Sequence, residues 1–211
     1  IACELSRIGN ETNFTFKVYM DINTGMNRTG VDTVGAFKLA IECQNLTNLK
    51  ISGLHCYDGN IRDIDFNTRK AHCDASFQKI ENLKISLEKE GFLNLNIIIG
   101  GSPTFPIHAK RNKVECSPGT FVFWDKGYQE SCPEQPFIPA VLAITRIISL
   151  PNATRICTDL GHKSIAAEND ITRRVFFLNA NELKFISQSE EHLVLEGTEG
   201  HNYKIGDVLL G

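Results

Sequence analysis

The sequence has no apolar run approaching the roughly 20 residues of a membrane span. It also has no Lys/Arg block anywhere along its 211 residues. With a formal charge of −3, the second absence argues against a nucleic-acid or membrane-surface partner. No C-x-x-C pair occurs among the seven scattered cysteines. Neither a zinc ribbon nor a disulfide framework is therefore expected, whereas buried reduced thiols in a cytoplasmic protein are. No secretory leader pattern opens the chain, which leaves the N-x-T triplets at Asn10, Asn13, Asn27, Asn45 and Asn152 without a glycan role. Internal repeats and low-complexity tracts are missing as well.

What is present is ordinary globular composition, 42% hydrophobic and 22% charged, enough for one large domain or two smaller ones. Residues 14–21 read as a strand that runs into the polar loop Asp21-Ile-Asn-Thr-Gly-Met-Asn-Arg-Thr-Gly30. Asp32 is placed to cap a helix over residues 33–44, with Val34, Phe37 and Ile41 repeating at helical spacing on one face. A strand over 50–56 ends in Tyr57-Asp58-Gly59. A long helix over 67–90 follows, with Cys73, Phe77, Ile80, Leu83 and Leu87 as its stripe and Gly91 as its stop. The run Ile97-Ile98-Ile99 reads as a strand buried on both faces, as parallel strands are. A short strand near 114–116 leads into Ser117-Pro118-Gly119-Thr120.

This alternation implies βαβ units with right-handed crossovers and a site in the loops after the strands. The richest of those loops is Gly100-Gly101-Ser102-Pro103-Thr104. Its glycines let backbone approach a ligand, its N–H groups can form an anion-binding concavity, and its hydroxyls add donors. It is equally an ordinary turn. Pro133, Pro136 and Pro139 mark a change of texture. Beyond it, short segments over 141–150, 155–158, 174–178, 192–196 and 203–210 read as strands of a second, β-rich domain. The expected division is 1–136 and 137–211.

Taken in order, four motifs resemble the D-threonine aldolase and D-serine dehydratase family of fold-type III pyridoxal-phosphate enzymes, relatives of alanine racemase. They are the loop 21–30, Gly53-Leu-His-Cys-Tyr-Asp-Gly59, Gly100-Gly-Ser-Pro-Thr104 and Glu115-Cys-Ser-Pro-Gly-Thr-Phe-Val-Phe123, with Asp159-Leu-Gly-His-Lys163 and Ser189-Glu-Glu-His192 downstream. The resemblance covers nearly the whole chain. It implies an α/β fold, the second half of a (β/α)8 TIM-type barrel, followed by a mostly β C-terminal domain. It places Arg28 facing the cofactor, or else buttressing its own loop, and Tyr57 near the ring or substrate, or else in the core. Gly100, Gly101, Ser102, Thr104, Gly119 and Thr120 resemble the phosphate cradle. His192, beside Glu190 and Glu191, is a candidate acid/base or a residue near a metal, or else a solvated loop residue, and His55 is a satisfied core histidine. The family's histidine after Tyr-Asp-Gly is replaced by Asn60.

The cofactor-carrying lysine of the family sits on the first barrel strand and has no match in these residues; Lys163 lies outside that role. The family's metal pair follows a Gly-Asp-Val strand like Gly206-Asp207-Val208, and no metal ligand is assigned here. Both ends of the chain read as those of a segment of a longer protein. The expected activity is retro-aldol cleavage of D-threonine to glycine and acetaldehyde. The alternatives are dehydration of D-serine to pyruvate and ammonia, or a non-catalytic chain that binds pyridoxal phosphate. The resemblance implies a divalent metal (Zn, Mn or Mg) in the parent protein, a small D-amino acid substrate and a homodimer.

Overall fold

The computed structural model describes residues 1–211, which divide into two compact units, Ile1–Ile138 and Pro139–Gly211. The first unit opens with helix α1 (Ala2–Thr12) and continues β1 (Phe16–Asp21), α2 (Thr33–Cys43), β2 (Leu49–Cys56), α3 (Phe66–Lys89), β3 (Asn96–Ile99), α4 (Phe105–His108), β4 (Val114–Glu115) and α5 (Lys126–Ser131). Its four strands form one parallel sheet in sequence order. The register sets Asp21 opposite His55, Cys56 opposite Ile99, and Ile98 opposite Glu115. The strands therefore stop together, and the loops that follow them share one edge. That edge is the consequence of the βαβ alternation read from the sequence.

The sheet buries Met20, Leu54, Cys56, Ile97 and Ile99 against the α3 stripe Phe77, Ile80, Leu83 and Leu87. Asp65 caps α3 by accepting the N–H of Thr68 at 2.8 Å. Beyond the helix, Gly91 takes φ 94, as a left-handed stop requires. Helix α2 begins where the sequence places it. Asp32 caps it, accepting from Gly35 N–H at 2.6 Å. The face it buries, however, is Ala36, Ala40 and Cys43, while Val34 is 62% exposed and Phe37 and Ile41 are only partly covered. Small side chains at i, i+4 and i+7 let this helix lie close to its neighbours, and of the three spaced residues Phe37 packs against the core.

The second unit is a five-stranded sheet ordered β7-β8-β6-β5-β9, paired antiparallel throughout. Its strands are β5 (Ile144–Ser149), β6 (Arg155–Thr158), β7 (Lys184–Gln188), β8 (Leu193–Glu196) and β9 (Val208–Leu210). Ile147, Ile156, Leu193, Leu195 and Leu209 are its core. Residues 174–178 are not the strand expected of them. They follow a single helical turn (Ile171–Arg173) and bury Val175 and Phe177 from an irregular segment, with the Leu178 N–H donated to the Leu210 carbonyl at 2.7 Å. The missing place in the sheet is taken by β7, which lies at its edge and is largely exposed. No helix is long and apolar enough to cross a membrane.

Candidate functional site

Three of the four loops at the shared edge of the parallel sheet meet at Tyr57. Its ring lies under the guanidinium of Arg28, 5.1 Å from ring centre to Cζ. Its carbonyl accepts from Thr24 Oγ1 at 2.7 Å. On its flanks stand two glycines. A Cβ at Gly59 would fall 2.4 Å from the ring, and one at Gly101 would fall 3.1 Å from it. Thus Arg28 and Tyr57 stand together, and the ring is held by backbone that only glycine permits. Asp21 ends β1 beside them and is bonded to His55 Nδ1 at 2.9 Å. Burial alone would raise its carboxyl. Bonds from His55 and Thr29 and the Arg28 charge outweigh this and hold it below the usual range. His55 is a half-exposed partner of that carboxylate rather than a core residue.

Beneath Tyr57 lies Asp58, fully buried. Its Oδ1 accepts from the Gly101 N–H at 3.1 Å and from Thr104 Oγ1 at 2.8 Å, and its Oδ2 bonds His108 Nε2 at 2.9 Å. Arg111 Nε donates to His108 Nδ1 at 3.2 Å, which leaves the ring proton on Nε2 for Asp58. Arg111 in turn reaches Asp74 and lies 4.2 Å from the centre of the Phe77 ring. This network corrects two members of the expected cradle. The Gly101 N–H and the Thr104 hydroxyl point to Asp58 and are not free for an anion. Their role is to fix the turn, in which Gly100 takes φ 107. Asp58 stood inside a motif recognised in the sequence, but nothing in the chain order ties it to His108, fifty residues on.

The remaining cradle candidates do come together. Ser102 Oγ and Thr120 Oγ1 are 3.0 Å apart, bridging the loops after β3 and β4. The N–H groups of Ser102 and Gly119 find no acceptor in the chain. Gln135 Nε2 braces the turn by donating to the Ser102 carbonyl at 3.1 Å. His192 belongs to the second unit. It is exposed at the β7–β8 connection, where its carbonyl accepts the Ser189 N–H at 2.8 Å. Its neighbour Glu191 is bonded to Lys163 at 2.9 Å, so Lys163 is engaged in a surface ion pair.

Asp58, Cys73 and His108 bring ligand-type atoms within 4.8 Å of one another. Their geometry does not suit a cation. Both Asp58 oxygens accept hydrogen bonds, both His108 nitrogens are engaged, and burial beside Asp58 pushes the Cys73 thiol up to about 12.

Residues 1–126 match the model of the alanine racemase N-terminal domain. The chain belongs to that family. Residues 140–211 match the model of a putative serine dehydratase domain. The 3-hydroxy-D-aspartate aldolase of Paracoccus denitrificans (strain Pd 1222) is 23% identical over 209 residues, covering 93% of this chain and 53% of that protein. The D-threonine aldolase of an Arthrobacter species is 25% identical over 72% of this chain and 41% of its own length. The chain thus spans about half the length of the curated relatives it matches. Among solved structures, the D-threonine aldolase of Filomicrobium marinum superposes with a TM-score of 0.84 at 22% identity, over 99% of this chain and 57% of that one. The D-threo-3-hydroxyaspartate dehydratase of Delftia sp. HT23 gives 0.80 at 16% identity, over 99% and 61%. At these identities the structural likeness establishes the alanine-racemase-like fold.

Proposed function

We propose that the first unit holds pyridoxal 5'-phosphate at its loop edge, as half of a (β/α)8 barrel in a lyase acting on β-hydroxy-D-amino acids. The observation that carries this reading is the packing of Arg28, Tyr57, Gly59 and Gly101 into one set. The Ser102–Thr120 pair and free N–H groups lie on the loops of the same sheet edge. The residues suit the group chemically. A flat ring stripped of Cβ neighbours offers a stacking surface, and the unspent N–H groups of Ser102 and Gly119 offer donors that a phosphate needs.

When bound, the cofactor supplies an aldehyde and a conjugated ring that accepts electron density from the substrate's α-carbon. Arg28 presents a permanent cation that only donates, so facing a ring nitrogen it keeps that nitrogen an acceptor. The Ser102 and Gly119 N–H groups bind and orient the phosphate end, and the Ser102–Thr120 hydroxyl contact joins the two loops beside it. Asp58 acts at one remove, holding the Gly101 turn and its neighbour Tyr57 in place through bonds that carry no substrate contact. The reading places no metal on this chain's residues; a divalent ion, Zn, Mn or Mg, belongs to the complete site, as does a homodimer.

The preferred reaction is retro-aldol cleavage of D-threonine to glycine and acetaldehyde. The match of residues 140–211 to a putative serine dehydratase domain favours one second reading, the conversion of D-serine to pyruvate and ammonia. The test is an assay of the protein at its full natural length, with pyridoxal phosphate and each metal in turn. Acetaldehyde from D-threonine supports the first reading, ammonia from D-serine the second, and neither product from any β-hydroxy-D-amino acid sinks both.

A further inference from the structure

The hydroxyl pair of the cradle has a third member that the family motifs do not include. Thr120 Oγ1 donates to the hydroxyl of Tyr128 at 3.2 Å. A hydroxyl carries one proton, so Thr120 has none left for Ser102. The 3.0 Å contact between them must therefore run from Ser102 to Thr120. The protons thus point one way, from Ser102 to Thr120 to Tyr128, and the Tyr128 proton is the one left over. The Ser102 and Thr120 hydroxyls show an anion only lone pairs in this arrangement, and the Tyr128 hydroxyl shows it a donor polarised by the two bonds behind it, beside the free N–H groups of Ser102 and Gly119.

Tyr128 is held for such a task. It stands in the first turn of α5, where its N–H is bonded to the Asp125 carboxylate at 2.9 Å. Its ring stacks on Trp124 with centroids 5.5 Å apart and planes 19° from parallel. Trp124 is itself buried and packs on Phe137. Two buried polar atoms without a partner in the chain, Trp124 Nε1 and Gln135 Oε1, belong to residues that grip this patch.

We propose that Tyr128 is the terminal donor of a Ser102–Thr120–Tyr128 hydroxyl relay that binds a phosphate monoester. This contact makes the site select the phosphorylated over the unphosphorylated form of the cofactor. The proposal rests on the cofactor reading above and adds to it the residue that meets the phosphate with a proton.

The chain's single tryptophan lies against Tyr128 and supplies the readout. The probe is 4'-deoxypyridoxine 5'-phosphate, which lacks the aldehyde and so needs no lysine. The same compound without its phosphate is the comparison. Each is titrated by Trp124 emission and again by calorimetry, since the Tyr128→Phe change alters the tryptophan's neighbour. Tyr128→Phe keeps the ring and its stacking, and a thermal melt checks that it folds. The expected result is saturable binding of the phosphorylated probe that weakens roughly tenfold or more in Tyr128→Phe, the size of a lost bond to a charged group. The unphosphorylated probe binds weakly and alike in both proteins. If the phosphorylated probe binds both proteins equally, the relay is wrong and the cofactor reading stands. If the natural protein binds neither probe, or both alike, the phosphate reading falls and takes the relay with it.

Discussion

Asp58 is the residue on which the geometry of the loop edge turns. Its two oxygens satisfy the Gly101 N–H, the Thr104 hydroxyl and the His108 ring at once, all buried. Asp58→Ala strands three buried donors, each costing about 1–3 kcal/mol when unpaired. We expect urea unfolding to show a loss of about 3 kcal/mol or more, and a loss below about 1 kcal/mol would mean that water replaces the carboxylate freely. Gly59→Ala would push a methyl into the Tyr57 ring. It should weaken pyridoxal-phosphate binding severalfold by displacing that ring, which a titration of the variant reads directly. Protonation gives a further check. Asp21 is held below its ordinary value by His55 and Thr29 against the opposing effect of burial, and Asp159 by bonds from Thr145 and the Arg146 N–H. A depressed carboxyl stabilises the fold fully above the unfolded value of about 3.9 and loses that contribution as pH falls through the lower folded value. Urea midpoints should therefore fall steeply below about pH 4, and His55→Ala should remove the share that belongs to Asp21. At this scale the sequence pointed to Arg28, Tyr57, Ser102 and Thr120 through their motifs, and the structure pairs Arg28 with Tyr57 and Ser102 with Thr120. It hid Asp58, His108 and Tyr128, because their importance lies in partners far along the chain or on an unforeseen helix.

Among the elements, α3 was legible nearly to the residue. Its stripe is large, apolar and regular, and its cap and stop are the usual Asp and Gly. Helix α1 was missed because it is polar and buries only Ser6 and Gly9. Helix α5 was missed because six residues give no period to read. Segment 174–178 mimicked a strand because Val175 and Phe177 are buried two apart, whereas β7 alternates weakly at an exposed edge. What ties α5 to the rest is Arg69, a fully buried arginine in the first turn of α3. It donates to the carbonyls of Asp63 and Ser131 and pairs with Glu134. Replacing it with methionine leaves those acceptors unpaired and frees the end of α5. A loss of roughly 3 kcal/mol is expected, with new protease cleavage near residues 131–135. A variant as stable and as resistant as the natural protein would show that the helix is held by its aromatic contacts alone.

The chain holds two sheets of opposite kind, one parallel and one antiparallel; the βαβ alternation implied the first, and the change of texture from about Phe137 a largely β second part. The thiols report on the same packing. Cys43, Cys56, Cys73 and Cys132 are buried and Cys3 is exposed, so one cysteine should react quickly with a thiol reagent and those four only after unfolding. The central claim is that the loop edge of the parallel sheet is a pyridoxal-phosphate site. The most direct measurement is a crystal structure of the protein grown with that compound. The account predicts phosphate density within hydrogen-bond reach of Ser102, Gly119 and Tyr128, with the ring beside Tyr57 and Arg28. Density elsewhere on the molecule, or an empty loop edge at saturating cofactor, would contradict it.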